Sequence, residues 1–542
     1  MTFAHHALRI VVLSGPIGAG KSALAEKLVA RYDAKLIKTR DLIRKQLPHV
    51  REDRAALQRA GERLDKADGG AWVKNALVRY IEDNVGGPSA SGFFVIDAVR
   101  IAGQVKAVRD AYGTAVHHIH LDADDTVLAE RYAKRGTKTK EFERYEDVRR
   151  SKTEREVRML ADLADTVVAT DRCMPEAVLV RAIALLGFYP RTAVPLVDVL
   201  VGGQYGSEGK GNIVGHIAPE YALLVRVGGP NAGHKVFADG EPEVYYHLPS
   251  GTERASKAQL LLGAGAVIYP PKLLQEIATH HVEAERLSVD PHAMIIEDAD
   301  IAEEKELLEA ISSTAQGVGA ASARKIMGRG GKLKTRVRLA GEVDELKPYI
   351  RESQALLERA FARGERILLE GTQGTSLSLH HGMYPWVTSR ETSVAGCLAD
   401  AGIASTRVRR VVMVCRTYPI RVGGPSGHMA LPITYEELAD RSQIPIDDLK
   451  KTEMTTTTKR QRRLAEFDWE QLHRSTVLNG PTDIALTFVD YLNIANRKAF
   501  RFDQLDLATL RFIQEVERVS GVPVSLVSTN FGWRNVIDRR SW

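Results

Sequence analysis

The feature that most constrains the fold is a glycine-rich segment in the middle of the chain. Residues 202–211 read GGQYGSEGKG and follow a mostly apolar, β-branched run over residues 197–201. The run predicts a strand, and the glycines let the backbone turn sharply so that N–H groups and the Lys210 ammonium face an anion. The segment therefore predicts a strand that leads into a phosphate-binding loop, an arrangement typical of α/β folds with parallel sheets.

A second phosphate loop is predicted near the N terminus. Residues 8–13 (LRIVVL) predict a strand, an Ala/Leu/Lys-rich stretch predicts a helix, and the segment between them has the spacing GxxxxGK[ST]. In that pattern backbone amides hold phosphates, the lysine reaches the terminal phosphates and the hydroxyl ligates Mg²⁺. The residues that form the pattern are Gly15, Gly20, Lys21 and Ser22.

Two further groups of side chains near this loop suit a second ligand. Asp97 ends the apolar run 93–96, and a carboxylate beside a phosphate loop can hold a magnesium-bound water or an acceptor. Arg131 and Arg135 lie four residues apart on a predicted helix. We therefore expect their guanidinium groups to share one face and to grip a polyphosphate.

The length and composition of the chain indicate its domain number, its ligand class and its compartment. A chain of 542 residues predicts two or more domains, and residues 187–195 (GFYPRTAVP) are typical of a linker, which divides residues 1–190 from residues 191–542. The net charge of +6, without a Lys/Arg block that contains aromatics, favours small phosphate ligands over nucleic acid. Because the three cysteines lack CxxC spacing and the apolar runs are too short to cross a bilayer, we expect a cytoplasmic protein with no membrane partner.

Four later segments complete a pattern that is specific in its order. They read GGPNAGH at 228–234, EGTQGT at 370–375 with HGMYPWVTS at 381–389, TTTKRQRR at 456–463, and NGPTDIALT at 479–487. Together with residues 202–211 they resemble the adenylosuccinate synthetase family, in its compact archaeal and phage form, from about residue 194 to residue 542. The resemblance implies a homodimeric enzyme with a mixed, mainly parallel sheet. Its members use GTP and Mg²⁺ to join L-aspartate to C6 of IMP through a 6-phosphoryl intermediate.

The resemblance assigns roles to particular residues. His234 falls on the catalytic acid, Gln373 lies near O6 of the purine, and the Gly233 carbonyl falls on a magnesium ligand. Contacts to the substrate nucleotide fall on Asn231, Thr314, Thr388, Arg421 and Val422. Contacts to the energy donor fall on Gly206, Glu208, Gly209, Gly211 and Asp490, with Lys210 at the γ-phosphate. The donor-rich loop suits a dicarboxylic acid, and the family's aspartate contacts fall on Thr457, Thr458, Arg460 and Arg462.

Ser207 is the departure that matters most for the chemistry. It stands where the family has an aspartate that is both the base for purine N1 and a magnesium ligand. A serine hydroxyl cannot act as a base at neutral pH, and its short side chain leaves room beside C2 of the purine. The substrate is therefore IMP, or dGMP as in phage-type relatives that make 2-aminoadenylosuccinate. An inactive relative, or an IMP enzyme in which Glu208 or water replaces the base, also fits.

The site for the donor base departs from the family as well. Phe488 and the pair Asn530-Phe531 replace smaller or polar family residues, while Asp490 is retained. The aromatic replacements suggest a base held by stacking as much as by hydrogen bonds. The donor is therefore GTP, or ATP or dATP. Arg329 lies near the family's arginine that reaches into the partner subunit, one residue out of register.

The N-terminal segment is similar to the nucleoside monophosphate kinases. Positions that match their acceptor stretch, strand end and arginine pair are Thr39, Asp41, Arg44, Asp97, Arg100, Arg131 and Arg135. Arg40 replaces a family glycine and Ala98-Val99 replace Gly-x-Pro, which leaves the acceptor undetermined. We thus expect a bifunctional purine-nucleotide enzyme, with a nucleotide sensor that has lost turnover and a nucleic-acid-binding ATPase as alternatives.

Overall fold

The computed structural model of the chain divides into two compact units. It describes residues 8–50, 54–85, 92–134, 144–186, 193–237, 242–331, 336–455 and 460–541. The N-terminal unit comprises residues 1–191 and the C-terminal unit comprises residues 192–542.

The N-terminal unit is built on a five-stranded sheet. Its strands are β1 (Arg9–Ser14), β2 (Lys35–Lys38), β3 (Phe93–Asp97), β4 (Val116–Asp122) and β5 (Thr166–Ala169). They lie in the order β2-β3-β1-β4-β5, and every neighbouring pair is parallel. Strands β1 and β3 are mostly buried because their Ile, Val and Phe side chains are covered by helices, as parallel sheets require.

Helices connect these strands. They are α1 (Lys21–Tyr32), α2 (Thr39–Gln46), α3 (Arg54–Asp68), α4 (Ala71–Val85), α5 (Ala102–Tyr112), α6 (Asp125–Ala133), α7 (Tyr145–Arg150), α8 (Lys152–Met159) and α9 (Pro175–Ile183). Helix α6 ends at Ala133, two residues before Arg135, which lies outside the described residues. The expected pairing of Arg131 with Arg135 on one helical face therefore stays a prediction.

The C-terminal unit contains a larger sheet and three small ones. Its strands are β6 (Val197–Gly202), β7 (Leu223–Arg226), β8 (His234–Val236), β9 (Glu243–Tyr245), β10 (Gln259–Leu262), β11 (Val267–Ile268), β12 (Leu287–Val289), β13 (Met294–Ile295), β14 (Ile367–Glu370), β15 (Val408–Arg416), β16 (Ile420–Val422), β17 (Pro432–Ile433), β18 (Arg462–Ala465), β19 (Asp483–Thr487), β20 (Val524–Ser528) and β21 (Val536–Asp538). The large sheet has the order β12-β10-β7-β14-β6-β15-β19-β20-β21, and only its last pair is antiparallel. This arrangement confirms the predicted mixed, mainly parallel sheet.

The helices of this unit pack on the two faces of the large sheet or on the small sheets. They are α10 (Lys210–Ile217), α11 (Pro270–Thr279), α12 (Asp298–Glu303), α13 (Lys305–Ile311), α14 (Val318–Met327), α15 (Ser353–Arg363), α16 (Val394–Ala401), α17 (Tyr435–Ser442), α18 (Ile446–Thr452), α19 (Trp469–Asn479) and α20 (Leu507–Ser520). Strand β6 explains the two-sided core, because Val197, Val199 and Val201 join one apolar cluster while Leu200 joins the other. Among the helices that the structure describes, none combines the length and the apolar character that crossing a bilayer requires.

Candidate active sites

The glycine-rich loop between β6 and α10 is organised around the buried carboxylate of Glu208. Its Oε1 accepts hydrogen bonds from the backbone N–H groups of Gln204 (3.0 Å) and Gly206 (2.7 Å), and its Oε2 accepts one from Lys210 Nζ (2.8 Å). Gly209 precedes the helix with φ 87°, a left-handed conformation that favours glycine. Because these bonds satisfy a buried ion pair, the loop is preorganised as an anion site at the N terminus of α10.

His234 and Glu370 form a second buried pair. His234 Nδ1 lies 2.5 Å from Glu370 Oε1, and Glu370 also accepts from the Ser250 backbone N–H (2.8 Å) and from Arg226 Nη1 (3.3 Å). His234 Nε2 is buried and has no hydrogen-bond partner among the described residues. The imidazole ring is thus fixed through Nδ1 and leaves Nε2 for a ligand.

The charges around this pair determine its protonation. Burial, and then the nearby Arg226 guanidinium, lowers the pKa of His234 to about 4. Burial opposes ionisation of Glu370, but Arg226 and the hydrogen bond from His234 outweigh it and lower the pKa of Glu370 to about 2. At neutral pH the imidazole is therefore neutral, with its proton on Nδ1 facing the carboxylate and a lone pair on Nε2.

The predicted motifs converge on the loop after β6. A Cβ added at Gly206 would lie 3.1 Å from the Gln373 Cα, and one added at Gly211 would lie 3.3 Å from the His234 Cβ. Gln373 itself has φ 60° and accepts from Thr372 Oγ1 at 2.9 Å. The structure thus brings the loop, the histidine motif and the EGTQ motif together at one end of the sheet.

The predicted nucleotide contacts are brought together in part. Asn231 Nδ2 donates to Thr388 Oγ1 at 3.4 Å, and Asn231 Oδ1 is buried without a partner in the described part of the chain. Arg421 is buried against the ring of Tyr205, 4.6 Å from its centroid, and burial lowers the pKa of Arg421 to about 10. The contact recorded for Thr314 is local, from Gln316 Nε2 to its carbonyl.

The predicted aspartate loop is described at its two ends. Thr457 and Thr458 lie outside the described residues, so their role stays a prediction. The Arg460 backbone N–H donates to Thr455 Oγ1 at 2.8 Å, and Arg462 Nη1 donates to Glu453 Oε2 at 3.4 Å. The C-terminal end of the loop is therefore anchored by the buried carboxylate of Glu453, which precedes the loop in the chain.

Aromatic side chains line the predicted pocket for the donor base. Gly209, Asp490 and Asn530 lie there with Phe488 and Phe531, whose rings meet edge to face at 5.5 Å between centroids. Asp490 is buried, and burial raises its pKa even though Arg497 Nε donates to its Oδ2 at 3.0 Å. The carboxylate predicted to contact the base is therefore present and is held by an arginine.

Magnesium fits the two loops differently. In the N-terminal unit Ser22 Oγ donates to Asp97 Oδ2 at 3.4 Å, and Asp97 Oδ1 is buried without a partner in the described ranges, which suits a hydrated cation. In the C-terminal unit Ser207 and the Gly233 carbonyl are neutral oxygens, while the Glu208 carboxylate is already occupied. The described residues contain no cluster of three His, Cys, Asp or Glu side chains that could hold a metal.

The N-terminal phosphate loop opens onto a cavity of about 440 Å³. Lys21 Nζ donates to the carbonyls of Gly15 (2.6 Å) and Pro16 (2.9 Å). Five of the predicted loop and acceptor residues line the cavity together with Lys21 and Gly15: Ser22, Thr39, Arg44, Asp97 and Arg100.

Two of the predicted acceptor residues lie elsewhere. Asp41 does not line the cavity and instead lies 3.6 Å from the Arg40 guanidinium. Arg131 donates to the Gly18 carbonyl (3.3 Å) and to Thr170 (2.9 Å), so it braces the phosphate loop in the structure. Ala98 has φ 70°, a left-handed conformation that is costly for alanine and that suits the glycine expected here from the resemblance to the nucleoside monophosphate kinases.

Sequence reasoning missed three buried charged residues of the C-terminal unit. Glu370 opens the EGTQ motif, and its place at the end of a buried strand is a signal that could have identified it. Glu453 lies just before the donor-rich loop, and Arg416 ends the apolar strand β15. Nothing in the local sequence marks Arg416 and Glu453 as partners.

Comparisons with known proteins show which families the two units resemble. The family model described as adenylosuccinate synthetase matches residues 199–342 and 334–497, and a model described as an AAA domain matches residues 11–154. The adenylosuccinate synthetase of Pyrococcus sp. (strain ST700) is 35% identical over 356 residues, 63% of this chain and 98% of that relative. The one from Methanocaldococcus jannaschii is 35% identical over 352 residues, 63% of this chain and 96% of that relative.

Two solved structures share the fold of the C-terminal unit. Succinoaminodeoxyadenylate synthetase of cyanophage S-2L, bound to dGMP and to dATP as an energy donor, is 28% identical with a TM-score of 0.54, and the match covers 65% of this chain and 97% of that chain. Fully ligated adenylosuccinate synthetase from Plasmodium falciparum is 21% identical with a TM-score of 0.57, and the match covers 64% of this chain and 100% of that chain.

Proposed function

Because this chain belongs to the adenylosuccinate synthetase family, we propose that its ligase joins L-aspartate to C6 of a guanine nucleotide, dGMP, in preference to IMP. The observation that carries the proposal is Ser207, whose short side chain stands where the family has an aspartate and leaves room beside C2 for the 2-amino group of guanine. Both oxygens of Glu208 are used within the loop, by two backbone N–H groups and by Lys210, so Glu208 cannot act as the base that Ser207 does not supply. The structural relative that binds dGMP supports the same substrate.

We assign the missing base function to His234. Its Nε2 carries a lone pair, is buried and lacks a partner among the described residues, while Glu370 holds the proton on Nδ1. As O6 of the purine attacks the γ-phosphorus and the bond to the leaving diphosphate breaks, Nε2 takes the proton from N1. As the aspartate amine bonds to C6 and the bond from C6 to the phosphorylated oxygen breaks, the imidazolium, stabilised by Glu370, returns that proton to the departing phosphate, and the amine releases its own proton to water.

The other residues position the reactants. Lys210 and the N terminus of α10 face the transferred phosphate, and Arg460 and Arg462 grip the carboxylates of aspartate. Magnesium bound with the triphosphate would neutralise charge on the transferred phosphoryl group, and the Gly233 carbonyl is the candidate ligand from this chain. We also propose that the enzyme is a cytoplasmic homodimer, as is typical of the family, with the exposed Arg329 as the candidate contact to the partner.

We infer that the energy donor is an adenine nucleotide, ATP or dATP. The edge-to-face pair of Phe488 and Phe531 suits stacking of a base. Asp490 has one oxygen engaged by Arg497, which leaves the other for a single exocyclic amino group. The dATP donor of the cyanophage relative supports this choice.

A second function is favoured by the cavity of the N-terminal unit. The phosphate loop, the orphaned Asp97 oxygen and the lining by Thr39, Arg44 and Arg100 suit phosphoryl transfer from ATP to a nucleoside monophosphate. We therefore propose that the chain is bifunctional.

One experiment tests the ligase proposal directly. The purified full chain is incubated with L-aspartate and Mg²⁺ in every pairing of dGMP or IMP with ATP, dATP or GTP. We expect a 6-amino-substituted purine, detected by its absorbance shift, together with inorganic phosphate, most rapidly with dGMP and an adenine donor. Absence of product in every pairing would instead favour a nucleotide sensor, and faster turnover of IMP would refute the substrate assignment.

A further inference from the structure

The cavity of the N-terminal unit contains a carboxylate that the phosphate-binding groups do not explain. Asp65, on α3, lines the cavity and accepts two hydrogen bonds at one oxygen, Oδ1, from Trp72 Nε1 (2.7 Å) and Gln104 Nε2 (2.8 Å). Trp72 and Gln104 are 4% and 2% exposed, so these donors are fixed in the core. Among the described residues none donates to the second oxygen, Oδ2, which is not buried and is therefore open to solvent.

The orientation of these groups follows from their chemistry. A backbone N–H and an indole N–H can only donate. The Arg100 backbone N–H lies 2.8 Å from the side-chain oxygen of Gln104, so the amide NH₂ of Gln104 faces Asp65. The amide of Gln104 thus bonds to Arg100 and Asp65. The group that remains for a ligand on this side of the cavity is Asp65 Oδ2, which is a hydrogen-bond acceptor.

Resting on the phosphotransfer proposed above, we propose that Asp65 reads the base of the acceptor nucleotide and selects a guanine-type edge. Guanine presents two adjacent donors, N1–H and the 2-amino group, to an acceptor. Adenine and cytosine place a ring-nitrogen lone pair beside their amino group, and uracil places two carbonyl oxygens beside its N–H. These lone pairs face a carboxylate unfavourably, whereas a donor edge offers N–H groups to Oδ2 in place of solvent.

The surroundings of Asp65 support a ligand that donates. Burial raises the pKa of Asp65, with Asp68 adding to the rise, while Trp72, Gln104 and Arg100 oppose it. A partly buried carboxylate in this setting gains from each further donor. The cationic side chains that line the cavity, Lys21, Lys38, Arg40, Arg44 and Arg100, suit the phosphates of the two nucleotides.

The Asp65→Asn variant inverts the group that reads the base. Trp72 and Gln104 both donate to the position of Oδ1, so the asparagine must place its carbonyl oxygen there and its NH₂ at the position of Oδ2. An acceptor thereby becomes a donor with almost no change in volume. The matched control is Asp68→Asn, on the same helix, where an exposed carboxylate accepts, among the described residues, from the Gly70 backbone N–H at 3.0 Å.

The experiment uses the full chain with labelled ATP and Mg²⁺ and without aspartate. Nucleoside diphosphate is separated chromatographically, because this product distinguishes the N-terminal reaction from a 6-phosphoryl species. We expect kcat/KM for GMP or dGMP to exceed that for AMP, CMP and UMP by at least tenfold, with IMP between them. Asp65→Asn should lower the ratio of GMP to AMP at least tenfold, and Asp68→Asn should leave it unchanged. A wild-type preference for AMP or a pyrimidine, or an unchanged ratio in Asp65→Asn, would overturn the proposal.

Failure of phosphotransfer itself is distinguishable. If no acceptor yields a diphosphate, the kinase proposal fails. Selection of the base by Asp65 is then tested by nucleotide binding, measured as the change in tryptophan fluorescence of the wild type and of Trp72→Phe. The difference in fluorescence between the two proteins is the contribution of Trp72, which donates to Asp65. GMP but not AMP should change this contribution, and the change should vanish in Asp65→Asn. An equal response to both nucleotides, or none, refutes selection by Asp65.

Discussion

Arg416 Nη2 donates to Glu453 Oε1 at 2.6 Å, and each of the two side chains is 1% exposed. The same guanidinium group lies 3.4 Å from the Ser207 carbonyl oxygen and 3.8 Å from the centre of the Phe488 ring. Glu453 in turn accepts from Arg462. One buried ion pair therefore contacts the loop after β6, the predicted donor-base pocket and the predicted aspartate loop, and we propose that it couples their geometry.

Glu453→Gln tests that coupling. The substitution leaves Arg416 buried without a negative partner, which costs about 3–5 kcal/mol when a buried ion pair is broken. We expect the urea midpoint of unfolding, followed by circular dichroism, to fall accordingly and KM for aspartate to rise, because Arg462 loses its anchor. The matched control is Glu436→Gln, which breaks an exposed pair with Lys450 (3.3 Å) and should leave both quantities unchanged. An unchanged KM in a destabilised Glu453→Gln protein would mean that the pair only supports the fold.

Glu370→Gln tests the assignment of His234 as the base. A glutamine can donate its NH₂ to Nδ1, which moves the imidazole proton to Nε2 and turns an acceptor into a donor. We expect kcat of the ligase to fall about 100-fold or more, as occurs when the carboxylate that orients a catalytic histidine is neutralised. The control is Glu276→Gln, because Glu276 and His247 form a buried pair of the same kind (2.8 Å) outside the site. Equal losses in the two variants would show that only stability is affected.

The pH dependence of the wild-type ligase follows from the same pair. In the proposed mechanism His234 acts as a base in its neutral form, and its pKa lies near 4, so kcat/KM should stay constant from neutral pH down to about pH 5 and fall below it.

The stability of the fold changes with pH in two ways. The contribution of Glu370, whose folded pKa is lowered to about 2, is present above its unfolded pKa and is lost as pH falls toward 2. The lowered pKa of His234 instead destabilises the fold as pH falls below the unfolded value of 6.5. For the ligase reaction, a half-maximal rate near pH 6.5 would contradict the assignment of His234 as the base.

The elements that the sequence predicts best are local ones. The strand, loop and helix from β6 to α10 follow from a β-branched run and from glycines that act within ten residues, and the N-terminal phosphate loop is equally local. Order along the chain then identifies the family, because five motifs occur in sequence. Convergence of these motifs on one end of the sheet follows from the parallel topology, which places the carboxyl ends of the strands together.

What could not be predicted depends on long-range partners. His234 and Glu370 are 136 residues apart, and Arg416 and Glu453 are 37 apart, so no periodicity connects them. A charged residue at the end of a strand is ordinarily expected to reach solvent, and only the partner makes burial of Arg416 tolerable. The left-handed Ala98 also escapes prediction, since alanine rarely adopts that conformation.

Ser207→Asp tests the meaning of the serine. The carboxylate fills the space beside C2 that the 2-amino group of guanine needs and adds a second base near N1 besides His234, so the ratio of kcat/KM for IMP to that for dGMP should rise at least tenfold. Ser207→Asn is the control, because it adds nearly the same volume without a base and should lower turnover of dGMP without improving IMP. If both variants change the ratio equally, volume alone decides the substrate. If neither changes it, Ser207 does not govern the choice.

Lys21→Ala tests whether the two units have separate chemistry. Lys21 belongs to the N-terminal phosphate loop, where its Nζ lies 2.6 Å from the Gly15 carbonyl, whereas Lys210 serves the ligase loop. Removing the Lys21 ammonium deletes the charge that meets the terminal phosphates, so diphosphate formation should fall at least 100-fold while ligase turnover stays within twofold. Lys27→Ala is the control, since Lys27 lies on the same helix α1 but pairs with Glu176 at 2.5 Å. Loss of both activities in Lys21→Ala would mean that the halves depend on one site, whereas loss of ligase turnover alone would reverse the assignment of the two phosphate loops.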